Sequence, residues 1–303
     1  MAPSTKRACR WTRCGWLLLM AAALAGCHFR RWDGPVPRSL MLSRQLSQQG
    51  QTALERRNWQ QAEQLLAQAV KTFPQDAEAR RHYAEALWQS GKHSEAFDQI
   101  RQALRLAPDD SQLLVRATEM RLAEGENAEA GRLVERALDV DPKNPRAWAL
   151  RGELRERSGD VRAALGDYQR ALGYRPDDRE VLLRVAEAYR RLNDPQRALA
   201  SLQSLAETYS PGEEPPRVLY LMGLAYSGLG RFGDAVESLS AARDRGPPSP
   251  ELLYRLADAQ RRAGRPDAAR QSAIRALALD PRHAASRELL SQLAHAPGGA
   301  ARR

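Results

Sequence analysis

A carboxylate recurs in this chain at a fixed interval. Glu85, Glu119, Glu153 and Glu187 lie 34 residues apart, and after a three-residue slip the series resumes at Asp258. Acids repeated in register can form a ladder that receives a basic ligand. They can equally be held by their own helices. Glu153 stands four residues before Arg157, Glu187 four before Arg191 and Asp258 four before Arg262. Such pairs steady a helix by ~0.2–0.5 kcal/mol each and neutralise part of the ladder. Tyr220 and Tyr254 follow the same register, with Leu183 before them. Adjacent tyrosines serve well as binding anchors, or they pack between helices. Arg81 stands four residues before Glu85 and pairs with it on this reading.

Other chemistry is hard to assemble. The five histidines are His28, His82, His93, His283 and His295, and none forms a His-x-x-x-His pair. The three cysteines, Cys9, Cys14 and Cys27, all lie near the start, so the body has neither an internal disulfide nor a thiolate metal site. GLAYSGLG, residues 223–230, lacks the Gly-Lys-Ser/Thr ending of a phosphate loop, and no serine sits in a Gly-x-Ser-x-Gly elbow. The reading is therefore noncatalytic, with no cofactor and no metal. The formal charge of +10 includes Lys6, Arg7, Arg10 and Arg13, and without those four it falls to about +6. A nucleic-acid surface would need clustered cations with interleaved aromatics, and only 6% of residues are aromatic.

Those four cations introduce a leader. Cys14 to Phe29 carries no formal charge, and its apolar heart is WLLLMAAALA, residues 16–25. A spanning helix needs roughly 20 apolar residues, more than this run provides. A basic stretch, an apolar stretch and then small residues form a secretory signal. Leu24-Ala25-Gly26-Cys27 resembles the lipobox of bacterial lipoproteins. That resemblance implies cleavage before Cys27 and acylation of its thiol and new amino group. Several acyl chains hold a protein on a bilayer, at ~0.8 kcal/mol per buried methylene. His28 replaces the aspartate that favours inner-membrane retention in enterobacteria, which points to the outer membrane. Phe29, Arg30, Arg31 and Trp32 suit a headgroup zone or a plain polar spacer. Asp33 to Arg38 reads as linker.

The rest is repetition. Pro74, Pro108, Pro142 and Pro176 are 34 residues apart. Ala62, Ala96, Ala130, Ala164 and Ala198 keep the same step, as do Ala69, Ala103, Ala137 and Ala171. Gly91, Gly125 and Gly159 continue as Asn193. After the slip the pattern resumes at Gly223, Gly230, Ala235, Ala242 and Pro247, then at Ala257, Gly264, Ala269, Ala276 and Pro281. A step of this size marks stacked helix pairs. In the unit 77–110, Tyr83, Ala84, Leu87 and Trp88 form a first stripe, and Gly91 ends that helix. Ala96, Phe97, Ile100, Ala103 and Leu104 form a second stripe that Ser94 can cap and Pro108 ends. Asp76, Asp110, Asn144 and Asp178 stand ready to cap the first helix of each following unit, and Asp194-Pro195 is a further cap.

These slots resemble the tetratricopeptide repeat. The resemblance implies an all-α, right-handed solenoid of about seven repeats: 43–76, 77–110, 111–144, 145–178, 179–212, 216–249 and 250–283. A capping helix over 284–294 and a tail over 295–303 complete it, with a signal over 1–26 and a lipidated cysteine and linker over 27–42. Arg121 and Arg155 fall in tyrosine slots, Leu205 replaces an alanine, Ser210 replaces a proline and Glu213 to Pro215 are extra, so a bend or loosening is expected at the fifth junction. In this family the first helices line a concave groove that holds peptides. That places Arg81, Glu85, Glu119, Glu153, Leu183, Glu187, Tyr220, Tyr254 and Asp258 on the binding face. The lysine and asparagine pattern of the family's carboxylate clamp is not met. The expected function is a membrane-tethered protein-interaction scaffold of the bacterial envelope, lipid-anchored and facing the periplasm. Two other readings stay open: a substrate-presenting accessory of an envelope glycosyltransferase or peptidase, and an intracellular adaptor with an uncleaved leader.

Overall fold

The computed structural model describes residues 37–295. The leader, Cys27, most of the linker and the last eight residues lie outside the described residues. The described chain forms fifteen helices and no strand. They run in pairs: α1 (Arg38–Glu55) with α2 (Trp59–Thr72), α3 (Ala77–Gln89) with α4 (His93–Leu106), and α5 (Ser111–Ala123) with α6 (Asn127–Val140). Next come α7 (Pro145–Arg157) with α8 (Val161–Tyr174), and α9 (Arg179–Arg191) with α10 (Pro195–Ala206). The last pairs are α11 (Pro216–Gly228) with α12 (Phe232–Arg245), and α13 (Pro250–Arg262) with α14 (Pro266–Leu279). A single helix, α15 (Ala284–His295), packs on α14 and closes the stack. Each helix touches its partner and the first helix of the next pair, which makes an α-solenoid.

The turn inside each pair explains the glycine series. Gly91, Gly125, Gly159, Gly230 and Gly264 have φ of +79°, +82°, +88°, +72° and +74°, and Asn193 holds the slot at +56°. In the first repeat the same slot is filled by Arg57 at φ +58°. A Cβ in this left-handed region clashes with the backbone, and glycine has none. Arg57→Gly is therefore expected to stabilise the first pair by about 1 kcal/mol. A later midpoint in urea unfolding would show it, and an earlier midpoint would refute it.

The caps between pairs also follow the sequence. Asp76, Asp110 and Asn144 each accept backbone N–H bonds from the second and third residues of α3, α5 and α7, and Asp178 accepts one from Val181 on α9. Asp194 caps α10 through the N–H of Arg197 at 3.1 Å. Ser94 does not cap α4. That helix begins one residue earlier, at His93, so Ser94 already lies in its first turn. Helix α1 likewise begins at Arg38, ahead of the repeat proper, because Pro37 occupies its N-cap position and the residues after it are free to coil.

The core forms between layers. Ala84, Leu87, Ala96, Phe97, Ile100, Ala103, Leu113, Ala117 and Met120 make one buried cluster, with Tyr83, Trp88 and Leu104 packed on it. The alanine slots are closed to solvent: Ala62, Ala96, Ala130, Ala164, Ala198, Ala235 and Ala269 are all buried. Small residues there let paired helices approach closely. Gly50, Gly152 and Gly223 do the same on first helices, where an added Cβ would lie 2.5 to 2.6 Å from Leu66, Tyr168 and Leu239 respectively.

The fifth junction keeps its core. Leu182, Leu199, Leu202, Leu205, Val218 and Leu221 share one cluster across α9, α10 and α11, because Leu205 fills the space a smaller residue would leave. The extra loop is tied down at both ends. Arg179 donates to Thr208 Oγ1 at 2.9 Å and lies 4.1 Å over the Tyr209 ring, and Arg245 binds Glu214. Loosening is confined to one edge, where α9, α10 and α11 leave a cavity of about 190 Å³.

Candidate functional site

The first helices carry every candidate residue, and cross-repeat ion pairs engage most of their carboxylates. Glu85 on α3 meets Arg116 on α5 at 2.6 Å. Glu119 on α5 meets Arg146 on α7 at 2.7 Å. Glu153 on α7 meets Arg184 on α9 at 3.7 Å, and Glu187 on α9 meets Arg217 on α11. The acidic ladder is thus a chain of bridges between successive repeats, and its carboxylates already have cationic partners. Pairs this exposed contribute about 0–1 kcal/mol each. They fix the spacing of neighbouring first helices more than they stabilise the stack.

Several expected pairs within one helix are replaced. Arg81 does not bind Glu85; its guanidinium lies 3.8 Å from Glu78, while Glu85 is taken by Arg116 and by Gln89. Arg191 does not bind Glu187. It lies 2.9 Å from Glu156, which is better buried and also accepts the Tyr168 hydroxyl at 2.8 Å. Attraction is stronger where water screens less. Two expected pairs are present: Glu153 with Arg157 at 2.7 Å, and Asp258 with Arg262 at 2.9 Å. Asp258 also binds Arg261 at 2.8 Å, so the last step of the ladder closes within its own helix.

The tyrosine pair separates into two environments. Tyr220 is half-buried between the clusters of α9–α11 and α11–α13, and it lines an open groove with Leu221, Leu252 and Arg255. Burial pushes its hydroxyl above the ordinary tyrosine range, and the Glu251 carboxylate adds to the shift. Tyr254 packs beside the last cluster with Leu290, its ring 5.7 Å from that of His283. Leu183 packs against the α9–α11 cluster. The groove beside Tyr220 holds about 530 Å³ and joins the edge cavity through Arg190, Leu221 and Leu224.

One buried charge cluster escaped the sequence reading. Asp167 on α8 lies in the core and accepts from Arg151 Nε at 3.1 Å and Nη2 at 2.9 Å. Arg155 Nη1 adds a third contact at 2.8 Å. Arg155 in a tyrosine slot was the available signal, since a cation facing a paired helix calls for an acid there. Arg121, in the same slot one repeat earlier, lies 3.3 Å over the Phe97 ring and binds Glu124 and Glu129. Among the described residues, no cluster of three His, Cys, Asp or Glu side chains is placed to hold a metal ion, and no helix is long and apolar enough to cross a membrane.

Stacked helix pairs with a shared first-helix face define an α-solenoid of the interaction-scaffold class. Tetratricopeptide-repeat profiles match residues 47–111, 152–213, 220–284 and 254–298, and a second such profile matches 87–154. The chain belongs to the tetratricopeptide-repeat family, whose members are generally noncatalytic protein-binding scaffolds. Solved structures share the fold. PilW, a type IV pilus biogenesis factor, is 20% identical with a TM-score of 0.62, over 69% of this chain and 96% of its own. PilF of Pseudomonas aeruginosa is 16% identical with a TM-score of 0.61, over 71% and 97%. YrrB, described as having an unusual peptide-binding site, is 21% identical with a TM-score of 0.52, over 62% and 96%. Among curated proteins no sequence matches this chain.

Proposed function

We propose that this chain is a lipid-anchored, noncatalytic scaffold of the bacterial envelope, tethered through Cys27 at the outer membrane and facing the periplasm. It binds a protein or peptide on the face of its first helices. The observation that carries the binding role is the unbroken run of seven helix pairs, which presents one continuous face. Support for the tether comes from Leu24-Ala25-Gly26-Cys27 behind a basic and then apolar leader. The fold shared with a type IV pilus biogenesis factor fits an assembly role in the envelope, by fold-level analogy.

Two measurements test the two halves. Palmitate labelling and membrane fractionation should find the wild-type chain labelled and pelleted, and Cys27→Ala unlabelled and released. An intact leader in the mature mass of the wild-type chain would end the tether reading. Co-purification from detergent extracts should recover a partner that Tyr220→Ala/Tyr254→Ala loses. An unchanged set of partners in that double variant would remove these tyrosines from the binding face.

A further inference from the structure

One slot recurs near the C-terminal end of the first helices, at the twelfth position of α3, α5, α7 and α9 and at the seventeenth of the longer α1. Leu54, Trp88 and Leu122 fill that position in the first three repeats and pack on the cores. Glu156 holds it in the fourth, gripped by Tyr168, Arg184 and Arg191. Ser227 holds it in the sixth and Arg261, paired with Asp258, in the seventh, whereas Arg190 in the fifth is unlike them. It is exposed, and among the described residues no carboxylate lies within ion-pair distance of its guanidinium. The space an apolar side chain would fill is the cavity of about 190 Å³ walled by Ala186, Ala198, Leu202, Leu221 and Leu224.

The adjoining groove is basic too, but its other cations are satisfied. Arg217 is paired with Glu187 and Arg255 with Glu251. Arg190 is the uncompensated charge, and it lines both the apolar cavity and the groove. A carboxylate brought there would meet a free cation beside low-dielectric walls, where attraction is less screened than in bulk water. The groove continues past Leu252 to Ser249 and Pro247, so a bound chain can run through it rather than end in it.

We propose that the slot between repeats five and six takes an aliphatic side chain from an internal, acidic segment of a partner protein, with the adjacent glutamate or aspartate of that segment paired to Arg190. The inference rests on the reading that this array binds protein, and it names the chemistry of the bound segment.

The test uses the full chain in detergent micelles and a fluorescein-labelled decapeptide of alternating leucine and glutamate, acetylated and amidated at its ends. Fluorescence polarisation should show saturable binding that Arg190→Ala weakens about tenfold or more. Leu224→Trp, which fills the slot, should weaken it similarly while circular dichroism stays unchanged. Arg190→Glu should lose the acidic peptide and gain at least about tenfold for the leucine–lysine counterpart, a result that misfolding cannot mimic. Equal affinities of wild type and Arg190→Glu for both peptides would overturn the proposal, as would no saturable binding by the wild type. Tighter binding of a peptide whose only acid is a free C-terminus would overturn the internal-segment assignment. A chain that captures a partner through Tyr220 yet ignores both peptides sinks this inference and leaves the scaffold standing; one that captures no partner sinks the scaffold.

Discussion

Asp167→Ala is expected to cost about 3 kcal/mol. The Asp167 side chain is only 2% exposed and Arg151 14%, so neither reaches water freely. Removing the carboxylate strips Arg151 of two hydrogen bonds and Arg155 of its ion pair. Breaking such a buried group by deleting one partner costs roughly 3–5 kcal/mol. The lower end applies because Arg155, 37% exposed, can turn to solvent, and Arg151 keeps Glu135 at 2.9 Å and the Trp148 ring at 4.3 Å. Asp167→Asn keeps the volume and one acceptor and should fall between the two. A repeat array need not unfold in one step, so hydrogen exchange of α7 and α8 is the cleaner readout beside the urea midpoint. Exchange at wild-type rates in Asp167→Ala would refute the argument.

Gly152→Ala is the second large effect, a loss of about 1–3 kcal/mol from overpacking. The new methyl would lie 2.6 Å from Tyr168 Cε1 and 2.7 Å from Cδ1. The ring has little freedom to withdraw. It is buried, and its hydroxyl donates to Glu156 at 2.8 Å. Burial, and then the hydrogen bond to Glu156, push that phenol well above the ordinary tyrosine value. The control lies fourteen residues away. Gly166 on α8 is exposed, and a methyl there meets no heavy atom within 4 Å. Gly166→Ala should gain up to about 1 kcal/mol, since alanine is the better helix former. The same substitution should therefore shift the urea midpoint in opposite directions at the two sites. Shifts of one sign would show that intrinsic helix preference, not contact with Tyr168, governs both.

What the sequence made legible is what a fixed period records. The proline, glycine and alanine series located the turns, the left-handed slots and the close helix contacts, because each slot has one dominant physical demand. The caps at Asp76, Asp110 and Asn144 were readable for the same reason. The ion-pair partners were not. Counting four residues along a helix finds Arg157 for Glu153, but it cannot find Arg116 for Glu85 or Arg217 for Glu187, which come from the next repeat. Asp167 was missed because a period search rewards sameness, and a buried acid found in one repeat is an exception. Arg190 was missed for a related reason: its meaning lies in the partner it lacks, and sequence does not display missing partners.

The cross-repeat bridges alternate. Glu85 and Glu153 reach arginines at the sixth position of the next first helix, Arg116 and Arg184; Glu119 and Glu187 reach arginines at the second position, Arg146 and Arg217. The arginine register of this stretch therefore repeats every 68 residues, while the carboxylate keeps the ninth position of each first helix. Excising 111–144 would set Glu85 in the place of Glu119 against Arg146, and excising 111–178 would set it against Arg184. Either arginine register receives the same carboxylate, so gain or loss of a single repeat within this stretch leaves a bridge at the new junction.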